Sequence, residues 1–291
     1  MSTLSLTVLG AFAGSWDKRP LPAFRSNKTQ ALLIYLTTEA AFHGAQPHQR
    51  EALMTLLWPD VLHRSAQTNL RQTLYQLRQV VSAIEQAEGE VPFVLADRQT
   101  IQLNPDFPWS SDLGQFVGIL AKKGGVMAEW ETAVSLYQND LCVGFYLPDS
   151  NPFEEWLAAR REAVRRQALE TLYQVTDWHL AEGRFAEAEA HARRQLAIDN
   201  LRESAHRQLI ETLARGGKRS AALAQYDAYV QMMQTELAAE PSPEIRLLVE
   251  AVQVGDFGVG GSLMGRLRGY QLREEIGAGS FGVVYRGVQT A

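Results

Sequence analysis

Residues 64–81 carry the side chains with the most informative chemistry in this chain, because their polar positions hold arginine and glutamine and no acid. In the major groove of DNA, arginine can donate two hydrogen bonds to guanine, and glutamine can exchange two with adenine. The apolar positions of the stretch are spaced four, three and four residues apart: Leu70, Leu74, Leu77 and Val81. This spacing predicts an amphipathic helix with one buried stripe and one polar face.

The polar face of this predicted helix supplies the candidate DNA contacts. Candidates for base edges or adjacent phosphates are Gln67, Thr68, Arg71, Gln72 and Tyr75, and candidates for phosphates near the helix ends are Arg64 and Arg78. Phosphate contacts orient a protein on DNA, whereas contacts with base edges read the sequence. The alternative is the solvent-exposed face of an ordinary amphipathic helix.

Short elements on either side of this helix complete the pattern of a winged helix-turn-helix. The preceding residues predict strands over 3–9 and 21–24, helices over 29–41 and 49–57, a turn at Trp58-Pro59-Asp60, and Ser65 as the N-cap of the recognition helix. Apolar runs at 93–95 and 100–103 flank a polar turn and predict a β-hairpin wing. Arg98 at its tip would reach a minor groove or a phosphate, or else remain a solvent-exposed turn residue.

From about residue 109 to residue 254 the pattern is almost wholly helical and contains an internal repeat. Three pairs lie thirty-four positions apart: Gly183 and Gly217, Ala188 and Ala222, and Leu196 and Val230. This is the period of tetratricopeptide repeats. Such repeats present a concave face to a protein or an effector, with a plain helical scaffold as the alternative. The arginine pairs at 160–161 and 165–166 alternate with glutamates and are expected to face solvent.

Residues 267–291 follow a glycine-rich linker at 255–266 and contain a spaced glycine motif. Its candidate nucleotide-binding residues are Gly277, Gly279, Gly282 and Val284. The glycines lie between two strand-like runs, which is typical of the hairpin that covers the ATP phosphates in protein kinases. The lysine and metal ligands that phosphoryl transfer needs do not follow in this sequence. We therefore expect no enzyme, no metal site and no cofactor, with ATP relevant only to a complete kinase-like domain.

Charge is distributed unevenly along the chain, whose net charge is −5. Residues 1–110 hold nine basic and nine acidic residues, whereas residues 111–254 hold fifteen basic and twenty-one acidic ones. The predicted DNA-binding part is therefore neutral and lacks the strongly basic character common in such domains. The single cysteine excludes an internal disulfide. The sequence shows neither a signal peptide nor an apolar run of membrane-spanning length, which predicts a cytoplasmic protein.

Eight short motifs carry a resemblance that covers about residues 3–252. They are LSLTVLG at 4–10, Ala31–Leu36, Leu56-Leu57-Trp58-Pro59-Asp60, Asn69–Arg78, Ser111-Asp112, Ala133–Leu141, Tyr146-Leu147-Pro148 and Phe153–Trp156. Together they resemble the bacterial transcriptional activator family of the Streptomyces antibiotic regulatory protein type. One departure is the wing, where the family's usual Gly-Tyr-x-Leu is replaced by the sequence at 98–103.

The resemblance implies a mostly α protein with an OmpR/PhoB-like winged helix-turn-helix, the effector fold of two-component systems, over 1–108. An all-α, tetratricopeptide-like bacterial transcriptional activator domain would follow over 109–254. The family implies cytoplasmic regulators that bind double-stranded DNA, contact RNA polymerase and form side-by-side homodimers on direct repeats. Residues 267–291 resemble the first strands of a Ser/Thr protein kinase. The alternative function is a signalling adaptor, with a degenerate winged helix and repeats that hold a protein partner beside such a kinase domain.

Overall fold

The computed structural model describes residues 3–89, 91–122 and 125–255, and the backbone of 266–267, 270–279 and 282–289. The chain divides into two compact units, Met1–Val175 and Thr176–Ala291. Among the described helices, none is both long enough and apolar enough to cross a membrane.

The elements follow one another in a largely helical order. The first unit contains β1 (Leu4–Thr7), β2 (Ala13–Trp16), β3 (Arg19–Pro20), α1 (Asn27–His43), β4 (His48–Gln49), α2 (Arg50–Leu57), α3 (His63–Ala87), β5 (Val94–Ala96), β6 (Thr100–Leu103), β7 (Trp109–Ser111), α4 (Asp112–Leu120) and α5 (Met127–Leu136). Helix α6 (Asn151–Ala181) begins in the first unit and ends in the second. The second unit continues with α7 (Phe185–Ile198), α8 (Glu203–Arg215), α9 (Arg219–Met232), a π-helix (Met233–Leu237), α10 (Pro243–Val254), β8 (Arg266–Leu267), β9 (Tyr270–Gly279) and β10 (Gly282–Gln289).

A four-stranded sheet in the order β3-β2-β1-β7 opens the first unit. The predicted first strand is confirmed, with Leu4, Leu6 and Val8 buried. The predicted strand over 21–24 is wrong, because the chain turns earlier, at Asp17 and Lys18, where φ is 47° and 65°. Two positive φ values suit the two-residue turn that joins β2 and β3, although glycine or asparagine usually occupies such positions.

The three helices and the wing of the predicted winged helix-turn-helix are present. Strand β6 pairs with both β4 and β5 to form the wing sheet. The four apolar residues of the recognition helix are buried as predicted: Leu70, Leu74, Leu77 and Val81. Ser65 is not the N-cap of α3, since the helix begins at His63 after Leu62 and has no side-chain cap. Ser65 therefore lies inside the first helical turn.

The first compact unit extends beyond residue 108, the predicted end of the winged helix-turn-helix. Strand β7 pairs in parallel with β1. Immediately after it, Ser111 caps α4, and the Asp112 carboxylate accepts hydrogen bonds from the backbone of Val8 at 2.9 Å and Leu9 at 3.0 Å. The winged helix and the first helices that follow it are therefore one folded body.

The thirty-four-residue repeat is confirmed in the second unit. Gly183 and Gly217 lie at equivalent positions in their turns, with φ of 72° and 77°, and Ala188 and Ala222 are fully buried. Leu196 and Val230 are only partly buried. The equivalent fully buried positions lie one residue earlier, at Gln195 and Tyr229.

Polar groups inside this unit explain that shift of one residue. Gln195 donates through Nε2 to Thr176 Oγ1 at 3.0 Å and to Gln208 Oε1 at 2.9 Å. The hydroxyl of Tyr229 donates to Glu203 at 2.7 Å. Because a buried polar group is stabilised when it finds a partner, Gln195 and Tyr229 occupy positions that hydrophobicity alone would assign to their neighbours.

The strands β9 and β10 form the predicted antiparallel hairpin, with Gly279 opposite Gly282. Gly277 lies in β9 and Val284 in β10, and these two residues are also paired. Residues 280–281, between the strands, lie outside the described part of the chain. Nucleotide binding by this motif stays a prediction.

Candidate nucleic-acid interface

The polar face of α3 lies at the surface, as its sequence predicts. Exposed side chains on it are Arg64, Thr68, Arg71, Gln72, Tyr75 and Arg78, and Gln67 is half-buried. Tyr75 retains 55% of its surface, which is unusual for a large aromatic residue. Within the described part of the chain, no ion pair involves an arginine of this face. The face is therefore available to an anionic partner.

A groove of about 320 Å³ brings together the start of α2, the exposed face of α3 and the tip of the wing. Its lining residues are Gln49, Arg50, Glu51, Met54, Gln67, Leu70, Arg71, Arg98 and Gln99. Three of the predicted contacts, Gln67, Arg71 and Arg98, thus share one concave surface although they come from two elements. The other predicted contacts lie on α3 outside the groove lining.

The tip of the wing is held by a tight turn around Asp97. One oxygen of its carboxylate accepts hydrogen bonds from the backbone N–H of Gln99 and Thr100, each at 2.7 Å. These backbone bonds, that of Thr100 above all, hold the pKa of Asp97 below its usual range. Arg98 lies in the middle of this turn and is exposed. The turn therefore presents the guanidinium on an ordered support.

Arg50 is a candidate contact that the sequence did not indicate. Its backbone N–H donates to Gln99 O at 2.8 Å, and its Nε donates to Asp97 O at 2.9 Å. Burial lowers its pKa, and the charges of Arg71 and Arg78 lower it further, opposed by Asp97. Arg50 lines the groove together with Arg71 and Arg98. Since no local pattern links residue 50 to the wing, only the tertiary structure reveals its place.

Negative charge is also present at the rim of the groove. Glu51 is exposed, and one of its carboxylate oxygens lies 3.3 Å from Nε2 of His63. A carboxylate beside the cations disfavours a phosphate at that point of the rim. We therefore expect an anion to approach from the side of Arg71 and Arg98.

Lys28, at the start of α1, is a basic residue whose charge is already paired within the first unit. Its ammonium donates to the carbonyl of Leu57 and lies 2.8 Å from a carboxylate oxygen of Asp149. It also lies over the Trp58 ring, with its side chain only 12% exposed. Lys28 thus connects α1 to Asp149, just before α6. Its charge is not available to a phosphate.

The helical part of the chain matches a known family model. Residues 122–253 match the model of the bacterial transcriptional activator domain. The matched residues are called the activator domain below. It begins before α5 and ends within α10, so it contributes to both compact units.

The whole architecture has a counterpart among solved structures. EmbR of Mycobacterium tuberculosis, solved in complex with a low-affinity phosphopeptide, superposes with a TM-score of 0.65 at 20% sequence identity. The superposition covers 87% of this chain, which spans 66% of the EmbR chain. At that identity the likeness establishes the fold, a winged helix-turn-helix followed by helical repeats. No curated protein matches this chain.

Arginines of the activator domain hold α6 in place and are not the solvated residues that their pattern predicts. Arg161 donates to the carbonyls of Leu141, Cys142 and Phe145 at 2.8–3.1 Å. Arg165 makes two hydrogen bonds with the Asp140 carboxylate. Of the two arginine pairs, only Arg166 is exposed. A pattern of alternating charges does not distinguish a solvated helix face from one that holds neighbouring loops.

Protonation of His48 is expected to destabilise the first unit. Burial lowers its pKa below the usual 6.5, opposed by Glu39 and assisted by His43. The folded state therefore binds the proton less readily than the unfolded state, and stability falls as pH drops below 6.5. When the pH is lowered from about 7.5 to about 5.5, the free energy of unfolding should fall less in His48→Gln than in the unsubstituted chain. Urea denaturation at both pH values measures the two losses. Equal losses would contradict a buried neutral imidazole.

Proposed function

We propose that this chain is a sequence-specific DNA-binding regulator of transcription, with α3 as its recognition helix in the major groove. The observation that carries the proposal is the groove that joins Arg50, Arg71 and Arg98 from α2, α3 and the wing. Helix-turn-helix proteins place such a helix in the major groove while neighbouring elements contact the backbone. The activator domain supports a role in transcription.

Each part of the surface has a different task in this proposal. Arg71 and Gln72 on α3 would contact base edges, and Arg78 would contact a phosphate. Arg98, held by the turn around Asp97, would contact a phosphate or the adjacent minor groove. The neutral total charge of residues 1–110 is compatible with this division, because Arg50, Arg71 and Arg98 meet in one groove.

The partners proposed for the chain are double-stranded DNA, RNA polymerase and a second copy on direct repeats. The proposed location is the cytoplasm, and no catalytic activity is proposed. The phosphopeptide of the EmbR structure belongs to that protein. We assign no phosphopeptide site to this chain.

Selection from a genomic DNA fragment library tests the proposal. The full chain is incubated with the library at two salt concentrations, and bound fragments are sequenced. We expect enrichment of a recurring half-site and a steep loss of affinity as salt rises, because phosphate contacts release counterions. Absence of any enriched half-site would contradict the proposal and favour the signalling adaptor, whose repeats would then be tested for a protein partner.

Arg98→Ala should weaken binding to the selected site and to unrelated DNA by a similar factor. A contact with phosphate carries no base information, so its loss should reduce the salt slope by about one. Fluorescence anisotropy titrations on both DNAs at several salt concentrations measure this. Arg193→Ala serves as the control, since Arg193 is an exposed residue of α7 paired with Glu189. An unchanged salt slope for Arg98→Ala would show that the wing tip makes no phosphate contact.

A further inference from the structure

We propose that Trp156 and Arg160 of the activator domain are positioning residues for the wing. This inference rests on the proposed function, because the wing matters through its contact with DNA. It adds that the orientation of the wing depends on two residues of α6, which lies outside the winged helix. Four consecutive contacts within the first unit connect these residues to the wing tip.

The first contact joins α6 to α1 at Glu39, which is only 7% exposed. Trp156 Nε1 donates to its Oε1 at 2.8 Å, and Arg160 donates through Nε to Oε1 and through Nη2 to Oε2, both at 2.9 Å. Both carboxylate oxygens are therefore engaged by α6. A bidentate guanidinium–carboxylate pair restricts orientation as well as distance.

The second contact is aromatic and lies one helical turn earlier on α1. The ring of Tyr35 lies 4.8 Å from that of Trp156 and 5.1 Å from that of His48, measured between centroids. These separations fall within the range of favourable aromatic pairs. Tyr35 therefore lies between α6 and β4 and contacts both.

The third and fourth contacts lead from His48 to the wing tip. In β4, His48 pairs with Ile101 and Gln49 with Thr100, both of β6. The next residue, Arg50, donates to the carbonyls of Asp97 and Gln99, which flank Arg98. Because β4 has only two residues, its position depends strongly on the side chains that pack against it. Tyr35 is one of them.

The contacts with α1 lie near the start of α6. Helix α6 is 31 residues long and continues from these contacts into the second unit. Changes that shift its first turns would move Trp156 and Arg160 together, since the two side chains lie four positions apart on one helix face. The wing would then lose the support of Tyr35 and His48.

Hydrogen exchange in the full chain tests the positioning role without DNA. Amides of residues 94–103 are followed by mass spectrometry in Trp156→Leu, Arg160→Gln and Tyr35→Leu, each at a temperature at which circular dichroism shows it folded. We expect exchange in the wing to be faster by about 3- to 10-fold in all three. Tyr35→Leu leaves the pair of Glu39 and Arg160 in place and keeps the test informative if another variant fails to fold.

Arg165→Gln is the matched control, because Arg165 belongs to the same helix and pairs with Asp140. It should leave exchange in the wing unchanged, and Arg160→Lys should restore part of the protection lost in Arg160→Gln. Unchanged wing exchange in Tyr35→Leu and Trp156→Leu, or an equal rise in Arg165→Gln, would overturn the inference.

The DNA measurement separates this inference from the proposed function. On the selected site, Tyr35→Leu should raise the Kd by about 3- to 10-fold, and it should add little when Arg98 is already alanine. If the unsubstituted chain binds the DNA site and Tyr35→Leu binds it equally well, the inference about the wing is wrong and the proposed function stands. If the unsubstituted chain binds no DNA, the proposed function is wrong, and so is the role of the wing in DNA binding. The hydrogen-exchange result would still show whether Trp156, Arg160 and Tyr35 support the wing.

Discussion

Arg71→Ala is expected to weaken binding to the selected DNA site by about 1–3 kcal/mol and to relax specificity at one base pair. Arg71 is exposed on α3 and lines the groove with Arg50 and Arg98. A guanidinium in this position can donate two hydrogen bonds to a guanine, and alanine leaves those acceptors unpaired. Anisotropy titrations against a set of sites with every base pair varied in turn measure both effects.

Arg78→Ala is the matched control for this prediction. Arg78 lies two helical turns further along the same exposed face, where a phosphate contact is expected. Its loss should weaken all sequences alike. Should Arg71→Ala also weaken every site equally, its assignment to a base edge would be wrong, and Gln72 and Gln67 would be the next residues to examine.

Glu39→Ala is expected to lower the free energy of unfolding of the first unit by about 3–5 kcal/mol. The substitution leaves the guanidinium of Arg160, whose side chain is 26% exposed, without its carboxylate and removes the acceptor of the Trp156 N–H. Breaking one side of a buried ion pair costs more than the pair itself contributes, because the remaining charge stays in a poorly hydrated place. Urea denaturation followed by tryptophan fluorescence measures the loss.

Glu129→Ala provides the comparison. Glu129 pairs with Lys122 at 2.6 Å, but the two side chains are 35% and 57% exposed. Exposed pairs contribute little to stability because solvent screens them, so this variant should unfold at nearly the same urea concentration as the unsubstituted chain. Similar midpoints for Glu39→Ala and Glu129→Ala would show that the contact between α1 and α6 does not stabilise the first unit.

Local periodicity was enough to predict most elements of the fold. The stripe from Leu70 to Val81, the hairpin around Arg98 and the thirty-four-residue repeat all depend on side chains that follow one another along a single element or its copy. Hydrophobic burial acts on each such element separately, so its period is visible in sequence. The exposed face of α3 follows from the same reasoning, because it consists of the helix positions that do not belong to the buried stripe.

Turn positions and element ends were less well predicted. The turn at Asp17 and Lys18 has positive φ values without glycine, so its residue types do not reveal it. Ser65 has the chemistry of an N-cap, yet α3 begins two residues earlier. A local N-cap preference of about 1 kcal/mol is therefore too weak to fix where α3 begins.

The sequence by itself determined most secondary elements, the winged helix-turn-helix pattern and the cationic face of α3, because these depend on spacing within one segment. Only the tertiary structure decided which charges are free to meet a ligand. Arg160 and Arg165 resemble Arg71 in sequence, but they pair with the carboxylates of Glu39 and Asp140, which lie 121 and 25 residues away along the chain. Arg50 joins the candidate site through the wing carbonyls. Electrostatic pairing depends on distance in space, and a linear pattern does not contain that distance.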